Sequence, residues 1–371
     1  MQSHKRPTVI QDTIIDYLRD RIIDGRLAPG DKLPARLEIE KKFQTSSVTV
    51  QRAFDRLIEY GFVVTRMRQG SFVAARPPHL SRYALAFPGM IDDASWVRYW
   101  TVLMDVARRR QRESTVTVVP YTGVDAGRED GEYPALVEDV RQKRLAGVIF
   151  ATSPFLVDGT PLLSEQRLPR VAIMPPSKRR ELVTVTLDGR SFFRRAVEYL
   201  ASCQRRRIGL ITVPGIDGER LGYFRSLLKS RDMTCLPHWV QTAHQSEPKW
   251  ATNLARLLLS GGEGDTPDGL IITDDNLAEH ACLGIVESGR RVQEDLDVVA
   301  HCNFPAPAPR MVPVQRLGYD IRRVLDACIG LVDRMRRGKR RPDPVKIEAV
   351  FESELDARSE PAGHAAAGGM S

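Results

Sequence analysis

The chain has no run of 18 or more apolar residues, and its first residues, MQSHKRPTVIQDT, contain no apolar signal core. A membrane-spanning segment and a secretory leader are therefore not expected, and a soluble cytoplasmic protein is. Cysteine is sparse: Cys203, Cys235, Cys282, Cys302 and Cys328 are odd in number and form no CxxC pair, which excludes a disulfide frame and suits reduced thiols. Cys235 with His238, and His280 with Cys282, are short spacings with no second local pair to complete a tetrahedral zinc site, so no metal is expected. The GxSxG, HExxH and GxxxxGK[ST] patterns are also missing. No catalytic residue is legible.

What is present is ordinary for a folded protein, with 42% hydrophobic and 27% charged residues over 371 positions, enough for two or three folded units. The charge is unevenly placed. Residues 1–82 hold 15 Lys/Arg against 9 Asp/Glu, a net of +6 out of the chain's +8. The basic excess sits at the N-terminal end, where a polyanion would be met.

That end has the order of parts of a winged helix-turn-helix. Ile10, Ile14, Leu18 and Ile22 lay one apolar stripe along a helix over 7–24, stopped at Gly25. A Gly- and Pro-rich loop leads to a short helix over 36–43, a turn at Gln44 and Thr45, and a third helix capped by Ser46 or Ser47. Val50, Ala53, Phe54, Leu57 and Ile58 form its inward face. Ser47, Val48, Thr49, Gln51 and Arg52 then surround the exposed first turn, the part that reaches base edges. Gln51 suits adenine, Val48 a thymine methyl, and Arg52 and Arg56 phosphates. Phe62–Thr65 and Ser71–Val73 read as a hairpin whose tip, Arg66 to Gly70, places Arg66 and Arg68 against the sugar-phosphate backbone or minor groove.

This segment resembles the DNA-binding domain of the GntR family. The family's GxLxPGDxLPS, TVRxAL-like, GLI-like and QGxGTFV phrases correspond to Gly25–Pro34 (GRLAPGDKLP), Thr49–Phe54 (TVQRAF), Gly61–Val63 (GFV) and Arg68–Val73 (RQGSFV). The resemblance implies a double-stranded DNA operator as partner, met by Arg36, Ser46, Ser47, Val48, Thr49, Gln51, Arg52, Arg66, Arg68 and Gly70. It departs at Leu37, Ser47 and Gln51, which stand where the family usually has basic residues, so the operator sequence should be its own.

The expected division is a reading head over 1–75, a proline-containing hinge over 76–81, a large domain over 82–355 and a disordered Ala/Gly-rich tail over 356–371. In the large domain, apolar runs at 83–87, 116–121, 147–151, 170–174, 183–187, 208–213, 269–273 and 296–300 alternate with amphipathic stretches. That texture predicts parallel sheets with helices on both faces, in two lobes. Ligands of such sheets sit beyond the carboxyl ends of the strands. The residues there include Asp93, Trp96, Phe155, Asp188, Arg220, Asp274, Asp275 and Asn303, a set suited to a polar, hydroxylated small molecule stacked on a ring. The basic stretch Arg334–Arg341 reads as a solvated helix end.

This part resembles the LacI-type effector domain, a cousin of periplasmic sugar-binding proteins. The resemblance rests on Thr186–Asp188, Gln204–Ile208, Arg220–Phe224, Asp274–Ala278 and Val299–Asn303. It implies an α/β fold, an N-terminal winged helix-turn-helix plus a two-lobed periplasmic-binding-protein-like α/β/α sandwich, with crossovers near 188 and 303. It also implies Arg220, Asp275 and Asn303 facing a sugar-like effector, and a homodimer through the sensor. Asn303 stands where an Asp is usual, and Tyr223 replaces a Gly. The expected function is a DNA-binding regulator of the arabinose-repressor type, a repressor rather than an enzyme. Two rivals are a ligand-blind C-terminal scaffold and a fusion to an aminotransferase-like domain carrying pyridoxal phosphate. No lysine stands in the phrase that the latter requires, and no cofactor is expected.

Overall fold

The computed structural model describes residues 10–165, 167–176, 179, 182–262, 264–306, 311–338 and 341–359. The head is α1 (Ile10–Ile23), α2 (Arg36–Phe43), α3 (Ser47–Glu59), β1 (Val63–Arg66) and β2 (Gly70–Val73). Ile14, Leu18 and Ile22 bury against Val50, Ala53, Phe54 and Leu57, while Ile10 is 49% exposed, so the apolar stripe works only from its second turn. Gln44 ends α2 in the left-handed region at φ 48°, its N–H bonded to the Glu40 carbonyl, which makes the sharp turn. The Ser46 hydroxyl caps α3 by accepting from the Thr49 N–H at 3.3 Å. In the wing Val63 pairs with Val73 and Arg66 with Gly70, and Lys32 bridges to Phe72.

The hinge is a packed joint. Pro77 and Pro78 are buried, Pro78–Ser81 forms a turn of helix (α4), and the His79 ring stacks on Phe62 of the head at 5.8 Å. The Pro pair that suggested a spacer instead starts a helix, Pro78 occupying its first position.

The large part follows as β3 (Arg82–Ala86), α5 (Arg98–Glu113), β4 (Thr117–Tyr121), α6 (Tyr133–Arg141), β5 (Gly147–Phe150), α7 (Pro161–Ser164), β6 (Arg170–Ile173) and β7 (Val183–Leu187). Then come α8 (Gly189–Ser202), β8 (Ile208–Thr212), α9 (Gly218–Lys229), β9 (Val240–Thr242), α10 (Trp250–Leu259), β10 (Gly269–Ile272), α11 (Asp275–Glu287), β11 (Asp297–Phe304) and β12 (Gln315–Asp320). The chain finishes with α12 (Ile321–Arg336), β13 (Val345–Ile347), β14 (Val350–Phe351) and α13 (Glu352–Ser359).

Two six-stranded sheets result, ordered β13-β7-β6-β5-β3-β4 and β14-β12-β11-β10-β8-β9. All pairings are parallel except β14 with β12. Their strands are buried on both faces, which is why they read as continuous apolar runs. The chain leaves the first lobe at Asp188. The second crossover is not near 303: β11 continues to Phe304 and β12 pairs beside it in the same sheet, so the return to the first lobe comes at Asp320, where α12 begins. A third crossing follows between β13 and β14. The tail expected from residue 356 is helical as far as Ser359, its Glu-, Leu- and Ala-containing sequence favouring α13; residues 360–371 lie outside the described residues.

Candidate DNA-reading face and effector cleft

At the reading face, Ser47 and Val48 stand exposed on the first turn of α3, Val48 at 57%. The Ser46 and Thr49 hydroxyls lie 3.0 Å apart and satisfy one another, so both shape the cap before they meet any base. Gln51 donates to Asp55 at 2.7 Å on its own helix, which orients the amide and leaves its carbonyl oxygen for a partner. Arg52 is exposed on the same turn. Arg56, expected at a phosphate, instead bonds Tyr60 and Glu59 at the far end of α3, away from the first turn.

Arg36 rides over the Phe54 ring at 5.5 Å, and Arg66 over Phe72 at 4.5 Å, so both guanidinium groups are braced by aromatic faces. Arg68 sits at the wing tip with φ 63°. Gly70, at φ 109°, passes so close to Lys32 that a Cβ would meet Cε at 3.3 Å. Lys32 thus joins the wing, through its bridge to Phe72 and this close approach. Leu37 at the start of α2, Val48 on the first turn of α3 and Met67 at the wing tip are exposed apolar side chains, at 59%, 57% and 88%.

The candidate effector residues fall into two groups. In the first lobe, Asp93 accepts from Arg128 at 2.7 and 3.1 Å and from the Met90 N–H at 2.7 Å. Those bonds, the guanidinium foremost, hold its carboxyl below the usual carboxylate range. Asp93 therefore fixes the loop after β3. Trp96 packs against Phe87 at 5.3 Å and Trp100 at 5.4 Å, its indole N–H donating to Thr101. Phe155, after β5, is 61% exposed. Nearby a cavity of about 10 Å³ is lined by residues including Ala86, Pro88, Phe150, Thr152 and Val157, room for about one water molecule.

In the second lobe, Asp275 and Asn303 are joined directly: the Asn303 amide donates to the Asp275 carboxylate at 2.8 Å, and the two are 3% and 1% exposed. Asn303 lies within β11 rather than in a loop after it. Burial pushes the Asp275 carboxyl up and Asp274 adds to this, while His301, the Asn303 amide and Arg98 pull the other way. The Asn303 carbonyl oxygen and His301 Nδ1 are buried with no partner among the described residues. His301 packs between Phe192 and Tyr319, each at 5.6 Å.

Burial raises the Tyr319 hydroxyl well above its ordinary value; Asp188 reinforces the rise and Arg220 opposes it. Asp188 is also the cap of α8, accepting from the Arg190 N–H, and Arg220 is bound to Asp217, the cap of α9. Tyr319 was not singled out in the sequence, whereas His301 directly follows the apolar run at 296–300 and stood among the strand-end residues. The structure places His301 inside β11, and Tyr319 follows a run of mixed polarity that carries no strand-end signature.

The lobes meet beside this cluster. The Arg98 N–H, opening α5 of the first lobe, donates to Asn276 Oδ1 at 2.9 Å on α11 of the second, and the Arg98 side chain reaches Glu279 at 3.9 Å. Asp188, Arg220, Asp275 and Asn303 thus come together around Tyr319 and His301. Asp93 and Trp96 form a separate first-lobe group, and Phe155 stands apart from both. The lobe contact thus gathers a buried carboxylate, an unpartnered carbonyl oxygen and ring nitrogen, and two aromatic rings.

Residues 10–73 match the family described as bacterial regulatory proteins, gntR family, and residues 197–352 match the periplasmic binding protein-like domain. The chain joins a gntR-type helix-turn-helix to a periplasmic-binding-protein-like domain. Its head is similar to an uncharacterized HTH-type transcriptional regulator, YhcF of Bacillus subtilis, at 34% identity over 71 residues, 19% of this chain and 57% of that protein. Over 76% of this chain and 79% of the relative it is 23% identical to the arabinose metabolism transcriptional repressor of Geobacillus stearothermophilus. Among solved structures, the LacI family regulator from Arthrobacter sp. FB24, in complex with lactose, shares the fold with a TM-score of 0.57 at 18% identity, covering 74% of this chain and 99% of that one.

Proposed function

We propose that this chain is a cytoplasmic bacterial repressor that holds an operator through the winged helix and releases it when the cleft takes up a sugar or sugar derivative. The observation that carries the reading is the Asp275–Asn303 pair, shielded from solvent at the contact between lobes, with the Asn303 carbonyl oxygen and His301 Nδ1 unpaired beside it. Buried polar atoms without partners are costly, so a ligand that donates hydrogen bonds to them gains more than it would at an exposed site. Hydroxyl groups supply such donors, and the Tyr319 and His301 rings beside the pair offer faces for a sugar. Because Asp275 and Asn303 are shielded from solvent at the lobe contact, entry would require the lobes to part, breaking the Arg98–Asn276 bridge, and closure would remake it around the ligand.

A homodimer suits the reading, because two heads at fixed spacing read two half-sites. The adjoining helices α10 and α11 expose Trp250, Leu257, Leu283 and Val286 at 55%, 67%, 37% and 51%, an apolar face for a second copy. The arabinose repressor and the lactose complex support a sugar as effector, and the regulator relatives support a role without catalysis. A thermal-shift screen of the full chain against sugars and sugar derivatives tests this. Stabilisation by a sugar supports the sensor, and silence across the library supports the ligand-blind scaffold instead.

A further inference from the structure

The head is docked on the first lobe through side chains that neither DNA reading nor effector binding uses. Arg19 of α1, 5% exposed, donates from Nη1 to Gln142 Oε1 at 2.6 Å, just past the end of α6. Next to it Lys143 Nζ donates to Asp20 at 2.6 Å. The Arg144 guanidinium lies over the Tyr60 ring, at the end of α3, at 4.7 Å. Three successive residues of the sensor, 142–144, therefore grip two helices of the head. On the other side of the joint the His79 ring stacks on Phe62, and its carbonyl accepts from Arg336 of α12 at 3.2 Å.

These contacts have a common anchor. Asp139 of α6, 4% exposed, binds Arg144, Arg82 at the start of β3 and the Tyr121 hydroxyl at the end of β4. The carboxylate holds the gripping arginine, the first residue after the joint and a strand whose following loop, through Gly123, bonds to Gly89 beside Asp93. Lys143 at φ 54° turns the chain sharply at the grip, so the side chains of Gln142 and Arg144 are presented by a fixed bend rather than by a continuing helix. The wing tip and the first turn of α3 are not among the gripped residues, so the docked head keeps its reading face free.

We propose that residues 142–144 form a clasp, anchored by Asp139, that fixes the pose of the DNA-reading head on the sensor. The position of the recognition helix is then a property of the first lobe, and a change in that lobe reaches the head through α6 as well as through the 74–81 joint. The effect on operator affinity rests on the proposed function; the clasp itself does not.

Amide hydrogen exchange on the full chain, without DNA or sugar, tests the clasp independently of both. In Lys143→Asp with Arg144→Ala, exchange across residues 74–82 and 141–146 should speed up about tenfold, while the core amides of α3 around Phe54 and Leu57 stay as slow as in wild type. Lys143→Asp alone, at an exposed position, should show a smaller acceleration, and adding Asp20→Lys should reverse it by restoring an ion pair of opposite sense. Unchanged exchange in the double variant would overturn the clasp. So would equal acceleration in the α3 core, which marks unfolding of the head, or a charge swap no better than the single change.

Discussion

Asp275 is held in a state that folding alone would not choose. Its carboxylate is buried, bonded to one amide, and raised in pKa by desolvation. A group whose folded pKa is raised binds more protons in the native state, so its charge weighs against the fold above that pKa, and the weight lifts as pH falls through it. Asp275→Asn removes the charge, and its new amide can donate to the unpaired Asn303 carbonyl oxygen. The substitution should stabilise the ligand-free protein by about 1 kcal/mol, read as a higher melting midpoint, and abolish the sugar response. A lower midpoint would show that the carboxylate serves the fold.

On the reading face, Arg66→Ala with Arg68→Ala should weaken binding to every DNA sequence and reduce the slope of log K against log salt by about 2; an unchanged slope would remove both from the phosphates. Asp275 stood out in the sequence because it shortly follows the apolar run at 269–273, and Asn303 because it follows the run at 296–300, although β11 carries Asn303 inside the strand. Arg56 sits farther along the helix from the exposed first turn, where it bonds Tyr60 and Glu59, a pairing that the sequence reading did not anticipate.

The elements that could be read were those with a single period. Eight apolar runs became strands, with ends shifted by a few residues, and β11 extended furthest past its expected end, to Phe304. The unread elements carry mixed signals. β12 (QRLGYD) hides Arg316 in the sheet, 8% exposed and paired with Glu352 at 2.9 Å, a burial that requires a partner found only after folding. The edge strands β9, β13 and β14 are three, three and two residues long, too short for an alternation to register. α12 showed only its basic end, though seven of its residues are buried beneath the first sheet's strands.

Gly318, in the middle of β12, is part of why this strand does not show in the sequence, since glycine weakens strand preference. Here it is required: a Cβ would lie 1.7 Å from the Cys302 carbonyl oxygen of β11. Gly318→Ala should cost about 3 kcal/mol or more, measured by chemical denaturation, because the clash is with backbone that cannot move aside.

At the scale of the whole molecule, the seam between head and sensor was not legible, because the residues that make it, Arg19, Tyr60 and 142–144, lie far apart in sequence and look like ordinary solvated charges. The seam has a pH dependence. Burial, with Arg336 beside it, lowers His79 to about 4. Between that value and its unfolded value of about 6.5 the unfolded chain binds the extra proton, so stability is lost as pH falls through this window. The loss should be on the order of 1–2 kcal/mol once partial exposure is allowed for, and His79→Gln should flatten it in denaturation curves taken between about pH 4 and pH 7. An equally steep curve in that variant would place the acid sensitivity elsewhere.

In the proposed function, occupancy of the lobe contact by a sugar sets the grip on DNA. Fluorescence-anisotropy titration of a footprinted operator, with the full chain and with Asp275→Asn, in the presence and absence of a sugar that stabilises the wild type, measures it most directly. Sugar should weaken wild-type binding about tenfold or more, a coupling of about 1.4 kcal/mol, and leave Asp275→Asn unaffected with its sugar-free affinity intact. Wild-type affinity unmoved by a sugar that demonstrably binds would contradict it.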